Sequence, residues 1–129
     1  MHRSSGPLPL EVDRKFVLSG YVYSHSQLLL RSGRTGYDKG EYLAHDSVYD
    51  VLFKDVGAVV VSDSYRPLRI SVASGEERRA VESVLGRGLD ERTLFRLRGA
   101  ESSGYVLAGA VYWLDDPAGS VEGPSALIT

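Results

Sequence analysis

Val48 to Ala73, VYDVLFKDVGAVVVSDSYRPLRISVA, is the stretch whose reading decides the fold. Tyr49, Val51 and Phe53 alternate with Asp50, Leu52 and Lys54, the period of a half-buried strand. Asp55-Val56-Gly57 interrupts the run, Ala58 to Val61 resumes it, and Arg66-Pro67 precedes a third run from Leu68 to Ala73. The reading is three consecutive strands in a meander, with the rest of the chain packed around them.

Working outward, the totals bound the class. A chain of 129 residues, 43% hydrophobic and 25% charged, can bury a core without covalent staples and has the composition of one ordinary globular domain. It contains no cysteine, which excludes disulfides, thiolate nucleophiles and cysteine-based metal sites. No apolar run reaches the roughly 18 residues that span a bilayer. The N-terminus lacks the apolar segment of a secretory signal. The expected location is therefore the cytoplasm, with no membrane role.

Residues 1–13 read as an irregular arm punctuated by Gly6, Pro7 and Pro9, and residues 14–129 as a single β-rich domain. Leu8 and Leu10 are the side chains that would dock the arm. Lys15 to Tyr23 reads as an interior strand with a bend at Gly20, followed by a second strand from Gln27 to Ser32, and the two suggest a hairpin turning at His25-Ser26. Residues 33–47, GRTGYDKGEYLAHDS, read as a long loop. Ser74-Gly75-Glu76-Glu77 is a capping box that opens a helix over about residues 75–85, with Val81, Val84 and Leu85 as its apolar stripe and Gly86 at its end. Thr93 to Arg98 and Tyr105 to Leu114 are two further strands. In the latter, Tyr105, Leu107, Gly109, Val111 and Trp113 are expected on one face. Ala126 to Ile128 suggests a short edge strand. Short connections favour antiparallel pairing. The expected fold is α+β but mainly β: an antiparallel β-sandwich or partly closed barrel of about seven strands with one helix.

Catalytic chemistry finds little support. Ser24 or Ser26 with His25 and Asp38, Asp46 or Asp50 would supply a hydrolase triad, but neighbours in a strand point to opposite faces and no nucleophile elbow is present. His2, His25 and His45 lack the spacing of a metal site. Arg31 to Gly36 lacks the spacing of a phosphate-binding loop. No cofactor is implied.

Charge is uneven. Residues 66–98 hold eight arginines against five acidic side chains, while residues 99–129 hold four acidic side chains and no basic one. The eight arginines are the raw material for a nucleic-acid face. The sequence pI of about 5.9 argues against it and favours a solvated, salt-bridged surface. Tyr37, Tyr42 and Tyr65 fall in expected loops, where tyrosines serve as contact anchors.

Gly20 to Ser32, GYVYSHSQLLLRS, followed by YDVLFKDV at residues 49–56, resembles a group of small bacterial proteins without assigned function. Their pattern is an S-H-x-x-L-L-L-R-S run and then a D-[IV]-x-F strand, covering about residues 20–56 here. The resemblance implies no catalytic residues. In size and β-rich style the chain is also similar to immunity proteins that neutralise toxins.

The leading expectation is a non-enzymatic module that binds a protein partner, in the manner of an immunity-like inhibitor, or that self-associates. Its contact residues would be Tyr37, Asp38, Tyr42, His45, Tyr65 and Arg66. A small-molecule pocket between sheet and helix, with His25 as its polar group, is the alternative. Nucleic-acid binding through the arginine face is the third reading.

Overall fold

The computed structural model describes residues 3–4, 7–22 and 26–128. Eleven strands and one helix follow in chain order: β1 (Arg3–Ser4), β2 (Leu10–Val12), β3 (Phe16–Val22), β4 (Gln27–Ser32), β5 (Thr35–Asp38), β6 (Glu41–Ala44), β7 (Val48–Val60), β8 (Ser64–Tyr65), β9 (Leu68–Val72), α1 (Gly75–Leu85), β10 (Thr93–Arg98) and β11 (Ser103–Asp116). The fold is mainly β, as the patterning implies. One antiparallel sheet runs β2-β9-β10-β11-β7-β4-β3-β8, with β1 added beside β11, and β5 and β6 form a separate two-stranded sheet.

All eight strands of that path feed one buried cluster, from Leu10 on β2 through Ile70, Leu97, Val106, Phe53, Leu30 and Phe16 to Tyr65 on β8. A single core shared by strands seven positions apart requires the sheet to curl around it. The sheet nevertheless keeps two edges, β2 and β8, so it does not close into a barrel. Its outer face is covered in two places. Helix α1 lays Val81 and Leu85 over Leu94, Leu107 and Ala58. The C-terminal segment lays Leu127 and Ile128 over Leu29, Leu52 and Leu114.

The stretch from Val48 to Ala73 does not form a meander. Strand β7 sits centrally between β11 and β4, while β8 and β9 lie near opposite edges. The thirteen-residue β7 and the fourteen-residue β11 pair with each other because ladder bonds and cross-strand contacts accumulate with length. Asp55-Val56-Gly57 does not end the strand either. Asp55 adopts a left-handed φ of 56°, and the register slips between Leu107 and Ala108, leaving Gly57 as the extra residue of a bulge. A Cβ on Gly109 would lie 2.8 Å from Asp55 Oδ2, so only glycine admits that side chain. The kink inverts the faces of β11. Val106 and Ala108 share the inner core with Val111 and Trp113, while Leu107 faces outward. The expected single face from Tyr105 to Trp113 is therefore corrected.

Strands β3 and β4 form the expected antiparallel pair, with a register shift between Leu18 and Gly20. The N-terminal segment is less irregular than its prolines imply. Strand β2 pairs with β9, β1 pairs with β11, and Leu8 and Leu10 pack on the main core. In α1 the Ser74 hydroxyl accepts from Glu77 N–H at 3.1 Å and Ser74 N–H donates to Glu77 Oε1 at 3.0 Å, completing the capping box. Gly86 closes the helix at a φ of 70°. Val84 is 81% exposed, so the apolar stripe reduces to Val81 and Leu85. Ala126 to Ile128 is a turn rather than an edge strand, held by burial of Leu127.

Candidate functional site: the β5–β6 hairpin and its clefts

Residues 33–47 carry strong turn formers, yet the segment is an ordered hairpin. Thr35 pairs with Ala44 and Tyr37 with Tyr42, and the turn uses positive φ at Lys39 and Gly40. Alternation explains the pairing, since Tyr37 and Tyr42 occupy matching positions on the same face of two short strands.

Both stems of the segment are fixed by buried Arg14. Its Nε donates to Ser32 Oγ at 3.0 Å, Nη1 to Ser47 Oγ at 3.0 Å, and Nη2 to the carbonyls of Ser32 and Ser47 at 3.1 and 2.7 Å. Every one of these acceptors is neutral, and burial lowers the pKa of the guanidinium from its ordinary value. Arg34 reaches across the base to the carbonyls of Asp46 at 2.7 Å and Gly119 at 3.1 Å, and to that of Pro117. His45 N–H then donates to Arg34 O at 2.7 Å.

Beyond its base the hairpin is held by charge. Arg66 Nη1 contacts Asp38 Oδ2 at 3.1 Å and Glu41 Oε1 at 2.7 Å. Lys39 Nζ meets Glu101 Oε1 at 2.5 Å, and Lys15 Nζ donates to Tyr37 O at 2.9 Å. No hairpin side chain belongs to any of the three buried clusters. The element is thus preorganised by ion pairs and backbone bonds instead of by a core. Its outer surface carries Tyr37 and Tyr42, 67% and 57% exposed, with ring centroids 5.3 Å apart.

Two clefts flank the hairpin. One, of about 320 Å³, lies between it and the outer face of β3 and β4, lined by Lys15, Val17, Leu29, Leu43, His45 and Val121 among others. The second, of about 610 Å³, is polar and includes Asp38, Lys39, Asp63, Arg66 and Glu101. The His45 pKa is lowered by desolvation and then by the nearby charges of Arg14 and Arg66.

The structure brings five of the expected contact residues onto one element and its anchor. Tyr37, Asp38, Tyr42 and His45 are on the hairpin or its base, and Arg66 is its ion-pair partner. Tyr65 is a correction. It is 1% exposed, sits in the main core, and its Oη accepts from Ser62 N–H at 2.9 Å, so it is unavailable as a surface anchor. Burial raises its pKa. His25 lies outside the described residues. The interface between helix and sheet, where a pocket was expected, is filled by Val81, Leu85, Leu89, Leu94 and Leu107.

Residues that patterning overlooked are Arg14, Arg31 and Asp50, each buried. For Arg31 and Asp50 the signal was a charge inside an apolar strand run, LLLRS and VYDVLF; Arg14, between Asp13 and Lys15, carried none. Of the eight arginines in residues 66–98, Arg66, Arg69, Arg92 and Arg96 pair with carboxylates, and Arg78 bonds the carbonyls of Asp90 and Arg92. Asp90 beside Arg92 is held down at a pKa of about 2.

Among the described residues no group of three His, Asp or Glu side chains is placed to hold a metal ion. Likewise no helix among them is long and apolar enough to cross a membrane. The chain matches no family model, no curated protein and no solved structure.

Proposed function

We propose that this chain is a non-enzymatic protein-binding module whose contact surface is the β5–β6 hairpin, acting in the manner of an immunity-like inhibitor. The observation that carries this reading is the Tyr37–Tyr42 pair, in tilted ring contact and solvent-facing on a hairpin that contributes nothing to the core. Exposed aromatic pairs give a partner large contact area with few rotatable bonds, and such side chains dominate interface energetics. The ion pairs of Arg66 and Lys39 hold the hairpin in shape before any partner arrives, which lowers the ordering cost of association. The commitment of most central-block arginines to internal partners favours this over a nucleic-acid face.

The test is binding of purified proteins encoded beside this chain's gene, measured for wild type and for Tyr37→Ala/Tyr42→Ala. Loss of about 2 kcal/mol or more, roughly 30-fold, is expected for the double variant. Unchanged affinity in the double variant overturns the assignment.

A further inference from the structure

We propose that the cleft between the hairpin and the outer face of β3 and β4 binds a small amphipathic carboxylate, with its apolar tail against Val17, Leu29, Leu43 and Val121 and its head group at Lys15. This inference does not depend on the protein-binding reading, although Tyr37 and His45 border both surfaces.

The first support is where apolar surface is left uncovered. Val17 is 42% exposed and Val121 55% exposed, and both line this one cleft together with Leu29 and Leu43. Isolated exposed apolar residues need no explanation, but several lining one concavity mark a ligand or partner site. The volume of about 320 Å³ falls within the range of small-molecule pockets.

The second support is charge. Lys15, Arg31 and His45 line the cleft and no acidic side chain does, in a chain of net charge −2. Arg31 is spent on Asp50 and on backbone carbonyls, so it offers no free donor. Lys15 does. Its ammonium has three protons and donates one, to Tyr37 O at 2.9 Å. Asp38 Oδ1 is a loose ion-pair partner at 3.9 Å, too far to take a hydrogen bond from it. The imidazole of His45 makes no hydrogen bond among the described residues, so a polar group is also left open on the hairpin side. The larger cleft contrasts with this one. Asp13, Asp38, Asp63 and Glu101 line it, its Lys39 and Arg66 are ion-paired, and its wall is more polar than apolar.

An apolar slot with a cation that keeps N–H donors to spare fits a carboxylate carried on a hydrocarbon or aryl body. It rejects the corresponding amine by repulsion at Lys15 and the alcohol by loss of the charge-assisted bond.

The experiment is calorimetric titration of the full chain with octanoate, octan-1-ol and octylamine. Octanoate is expected to bind saturably at one site, at least about tenfold more tightly than either analogue, the order of one hydrogen bond to a charged group. Lys15→Gln should remove that preference, and Val17→Asp should weaken octanoate by about tenfold or more. Both positions are partly exposed, and a thermal melt of each variant establishes that it folds. Tyr42→Ala, which lies outside the cleft, should leave octanoate binding intact while impairing the protein contact. Equal affinity for all three amphiphiles, absence of saturation into the millimolar range, or full binding by folded Lys15→Gln and Val17→Asp overturns the proposal.

Discussion

Arg31 Nε stands 2.7 Å from Asp50 Oδ1, both side chains nearly fully buried, and the pair pins the C-terminal segment to the sheet. Asp50 Oδ2 also accepts from Ser125 Oγ at 2.7 Å, while Arg31 donates to the carbonyls of Gly123 at 2.7 Å and Ser120 at 3.1 Å. Two neighbouring strands thereby reach a segment some ninety residues distant from Arg31. That segment covers Leu29, Leu52 and Leu114.

Removing one member of this pair leaves the other buried and unpaired. Asp50→Ala is expected to cost about 3–5 kcal/mol in urea unfolding. Ser125→Ala, which removes a single bond to a charged acceptor, should cost about 1–3 kcal/mol. The volume-preserving double change Arg31→Met/Asp50→Leu should recover much of the single-variant loss. A double variant as unstable as Asp50→Ala would show that the charges themselves hold the segment.

Gly104 reports on how closely the sheet curls. A Cβ there would lie 2.6 Å from Val60 O and would also collide with Tyr65 Oη. Gly104→Ala should cost about 1–3 kcal/mol by overpacking. Tyr65→Phe removes the hydroxyl that accepts from Ser62 N–H, and in the Gly104→Ala background its own cost should shrink. Strict additivity in denaturant melts would rule out the proposed collision.

Glu77 links the helix cap to the sheet. It accepts from Ser74 N–H at 3.0 Å and from Tyr105 Oη at 3.0 Å, and pairs with Arg96 at 2.8 Å. These contacts, the Ser74 backbone bond foremost, lower its pKa from the ordinary 4.5. A depressed carboxylate stabilises the fold above its unfolded value, and that contribution is lost as pH falls through the folded one. Glu77→Gln should therefore flatten the acid limb of the stability profile below about pH 4.5. Ser74→Ala should cost about 1 kcal/mol.

His45 acts in a higher window. Its folded pKa is lowered from 6.5, so the unfolded chain takes up the proton first. Stability should then fall as pH drops from the unfolded value through the folded one, and level off below it. His45→Gln should reduce the change in melting temperature between about pH 7 and about pH 5. An unaltered profile would show that desolvation by the hairpin base is too slight to matter.

Strand content, the capped helix and the antiparallel class were legible because they depend on local periodicity and on short connections. Ser74 and Glu77 declare the helix start within four residues, and Phe16 and Ile70 alternate with more exposed neighbours along their own strands. Strand order was not legible. Alternation says which face is buried but not which strand lies alongside, so residues 48–73 read as a three-strand meander, whereas the first two runs are one strand, β7, between β11 and β4. The face inversion at Asp55 and Gly109 has the same origin, since it exists only once two strands meet in register. At the candidate site, turn-rich composition singled out Tyr37, Asp38 and Tyr42 but could not show that they form a hairpin latched by Arg66. Tyr65 looked identical to them in sequence and became core because the curl of the sheet closes over β8. The sequence alone thus determined most of the strands and the capped helix, through interactions a few residues apart. Only the tertiary structure decided strand neighbours, the buried Arg31–Asp50 pair and the cleft at Lys15, because those arise from contacts between segments whose separation along the chain carries no local signal.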